Sequence, residues 1–346
     1  MYNDSIKKKG QEDMKKYTVG VDIGGTKCAA VLGKGSAAES EIIEFILDKE
    51  KIPTTFQDGP EGMIEQIFQM VETLLLRNHV ELDEIVGIGI SCGGPLDHEK
   101  GVILSPPNLM GWDHVEIVKM FEERFQVPCF LENDANAGAL AEYLFGAAKG
   151  CKNVIFLTYG TGMGAGLILD GKLYHGTNDM AGEAGHIRLT SIGPVGYGKA
   201  GSFEGMCSGA GIAQLAKIKA TELLQAGTPT KICPDIKSLE TLTAKSIAEA
   251  AKAGDEFAKQ IFEISGEYLG AALAVLIDIL NPEMIVCGSV FTRSQELLWD
   301  SAVEVLKREA LARSLEVCRV VKSGLGESIG DFAALSIVLS YSSQQK

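Results

Sequence analysis

Two stretches of this chain carry one pattern 136 positions apart: an apolar strand, a glycine loop and a second apolar strand. The first is "VGVDIGGTKCAAV", residues 19–31, and the second is "NVIFLTYGTGMGAGLILDGKLYHG", Asn153 to Gly176. Laid on one another, Thr158 falls on Asp22, Gly160 on Gly24 and Ala165 on Ala29. A chain that uses one hairpin twice is constrained to two related halves. Short strands with glycine recur as well, "IVGIGISCGG" (Ile85 to Gly94) and "MIVCGS" (Met284 to Ser289). Between them, apolar spacing over Ile64 to Leu76 and Phe257 to Leu280 follows the helical period. Each half therefore reads as strands, helix and strand, with helices covering a mixed sheet.

Bulk properties agree with a two-domain α/β chain. There are 346 residues, 46% of them hydrophobic and 23% charged, the balance of an ordinary globular protein. The net charge is −14 and Lys and Arg are scattered, which argues against a nucleic-acid partner. The opening "MYNDSIKKKGQEDMKK" has no apolar stretch behind its basic cluster, so residues 1–16 read as a solvated tail. The longest apolar run, Tyr268 to Leu280, is too short to span a bilayer and contains Asp278; it is expected to be a core helix, with no membrane partner. Eight cysteines occur without a CxxC pair, which points to reduced thiols and a cytoplasmic location.

Three segments carry candidate chemistry. Gly24 and Gly25 read as a hairpin turn supplying positive φ, or as bared amides beside Asp22 and Thr26 that suit a metal-bound phosphate. "GPVGYGKA", Gly193 to Ala200, has the glycine and lysine spacing of a Walker loop but ends in Ala where Mg²⁺ chemistry needs Ser or Thr, and with no strand before it and no helix starting at Lys199 it is discarded as a phosphate loop. In "VPCFLENDANAGALAEYLFG", Val127 to Gly146, a strand passes into an Ala-rich helix through Glu132, Asn133 and Asp134. These polar groups serve as a helix cap, or one carboxylate takes a proton from a bound hydroxyl.

Together "DIGGTK", "LENDANA", "TYGTGMGAG", "AGEAGH" and "NPEMIVCGS", in this order and within Tyr17 to Tyr341, resemble the ROK family of sugar kinases. That family lies in the actin, Hsp70 and hexokinase superfamily. The resemblance implies an α/β, two-lobed ribonuclease H-like (actin-like ATPase) fold, with mixed sheets flanked by helices and a cleft between the lobes. The small lobe is expected over 17–131, joined by a C-terminal helix at 328–346, and the large lobe over 132–327. ATP and Mg²⁺ are the implied cofactors. Gly24, Gly25, Thr26 and Lys27 of the first loop, with Thr161 and Gly162 of the second, match the family's phosphate-binding positions. Gly288 matches its adenosine-side glycine, and Asp22 its aspartate near Mg²⁺. Asp134 matches the catalytic base. Asn108, Asn133, Asp134, Glu183, His186 and Glu204 match the sugar-binding positions.

The implied reaction is ATP-dependent phosphorylation of a hydroxyl, expected to be the 6-hydroxyl, of a hexose or N-acetylhexosamine by a homodimer. The alternative is a sugar sensor of the same fold that does not catalyse. Repressors of the family carry a winged helix-turn-helix before the first strand, and the sixteen residues here are too few for one. One departure stands out. Many members hold zinc with a histidine and three cysteines, and those cysteine places align here with Val195, Tyr197 and Ser202. His186 alone does not make a four-coordinate site, so no structural zinc is expected. Tyr197 is expected to pack where the metal would have tied the chain.

Overall fold

Strands β1 (Tyr17–Ile23) and β2 (Lys27–Lys34) form the first hairpin, with Asp22 opposite Ala29. The structure is a computed structural model describing residues 16–34, 45–57 and 59–344; of the tail expected over 1–16, all but Lys16 lies outside the described residues. The chain continues through β3 (Ile46–Pro53), α1 (Gly59–Arg77), β4 (Ile85–Cys92), β5 (Leu96–Asp97) and β6 (Val102–Ile103). It then forms α2 (Ile117–Phe125), β7 (Cys129–Asn133) and α3 (Asp134–Leu144). The first sheet has the order β3-β2-β1-β4-β7, and β1, β4 and β7 are parallel.

Alternation along these strands sends one set of side chains into each face. Val19, Val21, Ile88 and Ile90 join Met63, Ile67 and Phe121 of α1 and α2 in one buried core. The opposite face is covered by the C-terminal helix, Ile329–Gln344, which packs on β1, β4 and α3. The small residues there are a packing requirement. A Cβ on Gly20 would stand 2.8 Å from Ala334 Cβ, and one on Gly89 would stand 2.2 Å from the Ala334 carbonyl oxygen.

The second sheet is built from β8 (Val154–Leu157), β9 (Ala165–Leu169), β10 (Lys172–Leu173), β13 (Met284–Cys287) and β14 (Arg319–Lys322). Its order is β10-β9-β8-β13-β14. Here β8 pairs antiparallel with β9 and parallel with β13, which pairs parallel with β14. The plan repeats that of β2-β1-β4-β7, so the sequence repeat is a repeat of topology. It is not register-perfect: the offset places Leu157 opposite Gly166, whereas Leu157 pairs with Ala165. The second loop, Thr158–Gly164, is longer than Gly24–Thr26 and absorbs the slip. Between the second hairpin and β13 lie the short strands β11 (Val195–Gly196) and β12 (Lys199–Ala200), then α4 (Phe203–Cys207), α5 (Gly209–Gln225), α6 (Ala244–Lys252) and α7 (Glu256–Leu280). Helix α8 (Ser289–Glu309) follows β13.

The chain divides into two compact units. The first runs to Gly150 and also takes in Leu173–Ala181 and the chain from Glu327 onward; the second comprises Cys151–Lys172 and Gly182–Gly326. The division differs from the expected boundary at Leu131. Strand β7 extends past it as a member of the first sheet, and α3 packs on the C-terminal helix of the same unit. All eight cysteines are buried and free. Among the described residues no helix is long and apolar enough to cross a membrane.

Candidate active site

In the first unit, Asp22, Ser91 and Glu132 stand in register across β1, β4 and β7. They lie near the carboxyl ends of three parallel strands, the edge at which open α/β sheets bind ligands. Asn133 ends β7 and caps α3: its Oδ1 accepts the Ala135 N–H at 2.9 Å. The cap therefore engages Asn133 through its Oδ1. Asp134 opens the helix at the surface.

Asp22 is packed about by protein, and its carboxyl is pushed up to about 7. Burial is the main cause; the charges of Asp134 and Asp331 add to it, and Lys27 and Lys51 oppose it. Asp331 escapes sequence reading because it arrives on the C-terminal helix, where its only mark is an acid in the first turn. Lys49 Nζ holds it at 2.9 Å. The negative charge gathered around Asp22 and its hard oxygen donors fit a divalent cation such as Mg²⁺. Among the described residues no group of three or more His, Cys, Asp or Glu side chains is placed to hold a metal ion.

The first glycine loop is pinned by Thr54, the residue after β3. Thr54 donates its hydroxyl to the Gly24 carbonyl at 2.6 Å and its N–H to the Thr26 carbonyl at 3.1 Å. The hairpin turn is present as expected, but neither Gly24 nor Gly25 has a positive φ, which corrects the dihedral expected of them. Space is what Gly25 supplies, since a Cβ there would lie 2.5 Å from the Asn108 carbonyl oxygen. Gly25 and Asn108 are thus brought together, and Thr26, Lys27 and Asn108 are exposed.

In the second unit the N-terminus of α5 braces the other loop. Gly209 N–H donates to the Gly160 carbonyl at 2.8 Å and Ala210 N–H to the Thr161 carbonyl at 3.3 Å. Glu204, in the first turn of α4, accepts the Met163 N–H at 2.9 Å, and a Cβ on Gly162 would meet the same carboxylate. Gly288 caps α8 and donates its N–H to the Leu157 carbonyl at 2.9 Å, placing it at the end of β8. Glu183 and His186 flank a short turn and reach the surface. Partial burial raises the Glu183 carboxyl, His186 lowers it and the Glu204 charge raises it, so both neighbours lie within electrostatic reach of Glu183.

The strap after His186 is tied without thiolates. Lys199 Nζ donates to the His186 carbonyl at 2.7 Å and Arg188 Nη1 to the Ala200 carbonyl at 2.7 Å. Ser202 caps α4 by accepting the Gly205 N–H. Tyr197 departs from its expected packing: it is 73% exposed, with its ring edge-on to His186 at 6.3 Å. Side-chain-to-backbone ties from Lys199 and Arg188 hold this strap, leaving the ring at the surface.

Two sheets of one plan, each with a glycine loop closing its hairpin, define a protein of the actin-like ATPase fold. The chain belongs to the ROK family, whose profile matches residues 18–340. It is 34% identical over 319 residues to a glucokinase of Halalkalibacterium halodurans, covering 91% of this chain and 92% of that one. It also resembles a solved ROK family glucokinase of Streptomyces griseus in complex with glucose and AMPPNP. The TM-score is 0.72 at 30% identity, over 92% of this chain and 98% of that one. An N-acetylglucosamine repressor of Escherichia coli is 32% identical over 296 residues, covering 83% of this chain and 69% of the repressor.

Proposed function

We propose that this chain, a ROK sugar kinase, transfers the γ-phosphoryl group of ATP to the 6-hydroxyl of a hexose or N-acetylhexosamine, with Asp134 as general base. The observation that carries the reading is that Asp22, at the end of β1, and Asp134, just past the end of β7, lie at one sheet edge within reach of each other's charge. Burial first, and then the charge of Asp134, make a bare Asp22 carboxylate unfavourable, as suits a charge that meets a cation in use. We assign Asn108, Asn133, Glu183, His186 and Glu204 to the sugar, whose hydroxyls donate to their oxygens or, at His186, meet a ring nitrogen. Gly24, Gly25, Thr26 and Lys27, and separately Thr161, Gly162 and Gly288, are assigned to the nucleotide. Mg²⁺ beside Asp22 would supply charge neutralisation at the phosphates. Asp134 accepts the proton of the attacking hydroxyl, and such a base contributes roughly 10²–10⁴ in rate. We place the enzyme in the cytoplasm as a homodimer.

The test is ADP release with Mg-ATP across hexoses and N-acetylhexosamines, with Asp134→Asn alongside. Release that needs a sugar and is lost in the variant supports the reading. Sugar binding without release from any acceptor favours the sensing role that the likeness to the repressor suggests.

A further inference from the structure

Glu132 is buried on the face of the first sheet that the C-terminal helix covers, and its carboxylate takes hydrogen bonds on both oxygens. Oε1 accepts the Asn133 N–H at 2.8 Å and Asn136 Nδ2 at 2.9 Å. Oε2 accepts from His175 Nε2 at 2.7 Å and from the Tyr341 hydroxyl at 3.1 Å. Tyr341 is stacked on Phe130 at 5.2 Å. The His175 ring lies flat on that of His98, 3.8 Å away and 3° from parallel. Asp179 grips His98 at Nδ1, 2.6 Å, and at its N–H, 2.9 Å.

A buried carboxylate persists only when its lone pairs are met. Here the donors divide into two pairs with different origins. Asn133 and Asn136 belong to the strand-to-helix turn that carries Asp134. His175 and Tyr341 come from a segment and a helix remote in sequence. Glu132 is the joint between them. If that joint loosens, the turn loses the restraint on both sides of Asp134.

We propose that Glu132 is a positioning residue for phosphoryl transfer: braced by His175 and Tyr341, it fixes the turn that aims Asp134, and the brace weakens when His175 loses its proton. The inference rests on the reading of Asp134 as general base. The groups facing His175 are Glu132 from β7, Tyr341 from the C-terminal helix, His98 and Glu99 from the β5–β6 turn, and Asp179 from its own segment. Burial works against the charged ring, but the hydrogen bond and charge of Glu132, with Asp179 and Glu99, carry its pKa above the ordinary histidine range. Below that pKa the imidazolium pairs with Oε2. Above it the charge is gone, and the contact drops from a charge-assisted hydrogen bond to an ordinary one from the neutral ring. Turnover therefore falls as pH rises through the His175 titration.

The experiment measures kcat and KM against pH for the wild type, Glu132→Gln, His175→Gln and Tyr341→Phe, with sugar affinity taken separately by titration calorimetry. In Glu132→Gln an NH₂ replaces one oxygen and faces donors on one side. The expected loss is about 10- to 100-fold in kcat, with sugar affinity within about threefold, and the falling limb moves to lower pH because the charge that raised His175 is removed. His175→Gln flattens that limb. Tyr341→Phe lowers kcat less. A folded Glu132→Gln enzyme with wild-type kcat and an unmoved limb overturns the inference. Should that variant not fold, unchanged kcat and pH profiles in both His175→Gln and Tyr341→Phe overturn it equally. Asp134→Asn separates the two levels: full turnover there removes the general-base reading itself, whereas an inactive Asp134→Asn beside a normal Glu132→Gln removes only the positioning role.

Discussion

Asp134, in the first turn of α3, is the charge that most raises the carboxyl of Asp22 at the end of β1. The folded pKa of Asp22, about 7, lies above its ordinary 3.8, so the folded chain holds a proton that the unfolded chain releases. The stability this contributes is fully present below about pH 4 and is lost as pH rises through about 7. In EDTA and without nucleotide, Asp22→Asn should be more stable than wild type by about 2 kcal/mol near pH 8, a value discounted from the full shift because water screens part of it. The difference should vanish near pH 4. Urea unfolding at both pH values measures it, and an equal difference at the two refutes it.

Glu204 was assigned to the sugar by resemblance, yet its carboxylate holds the Met163 N–H of the second glycine loop. The two roles separate by substitution. Gln keeps a carbonyl acceptor for Met163, and Ala removes it. Glu204→Ala should raise the KM for ATP about tenfold, the cost of one hydrogen bond at about 1.4 kcal/mol, while Glu204→Gln should leave it within about threefold. Steady-state kinetics with ATP varied decides this, and equal losses in the two variants contradict the loop role.

Much of this site was legible because strand edges and loops announce themselves locally. The repeat of hairpins located both glycine loops, and the strand-to-helix passage at Asn133 located the cap and Asp134. What stayed hidden depends on distant chain returning. Asp331 reaches Asp22 from the C-terminal helix, and His175, His98 and Tyr341 meet over Glu132 from three separate segments. Local spacing carries no trace of such meetings. The glycine error has the same origin: Gly25 looked like a dihedral requirement, but the reason for it is Asn108, brought against it by the fold.

Gly89 tests the covered face. Its missing side chain leaves room for the Ala334 carbonyl of the C-terminal helix, where an added Cβ would sit at 2.2 Å. Both partners are backbone in regular structure, so neither yields cheaply. Gly89→Ala should destabilise the protein by about 3 kcal/mol, at the upper end of overpacking costs. The midpoint of chemical unfolding reads this out, and a change below about 0.5 kcal/mol would show that the helix stands off the sheet.

Thr18 offers the opposite case, a native residue that can be improved. It lies opposite Gly33 in the hairpin and is fully buried, and its hydroxyl has no hydrogen-bond partner among the described residues. A Cβ on Gly33 would meet Thr18 Oγ1 at 2.9 Å and the Leu335 methyls at 3.1 and 3.2 Å, so the hydroxyl shares this space with aliphatic carbon. Folding strips water from the hydroxyl and gives no bond in return, a cost of about 1–3 kcal/mol. Thr18→Val places a methyl of similar size in the same apolar pocket. The midpoint of urea unfolding should rise by the equivalent of about 1 kcal/mol with the slope unchanged. Thr18→Ser, which keeps the hydroxyl and removes the methyl, should move it the other way. If Val lowers the midpoint, the hydroxyl has a partner that the packing around Gly33 does not reveal.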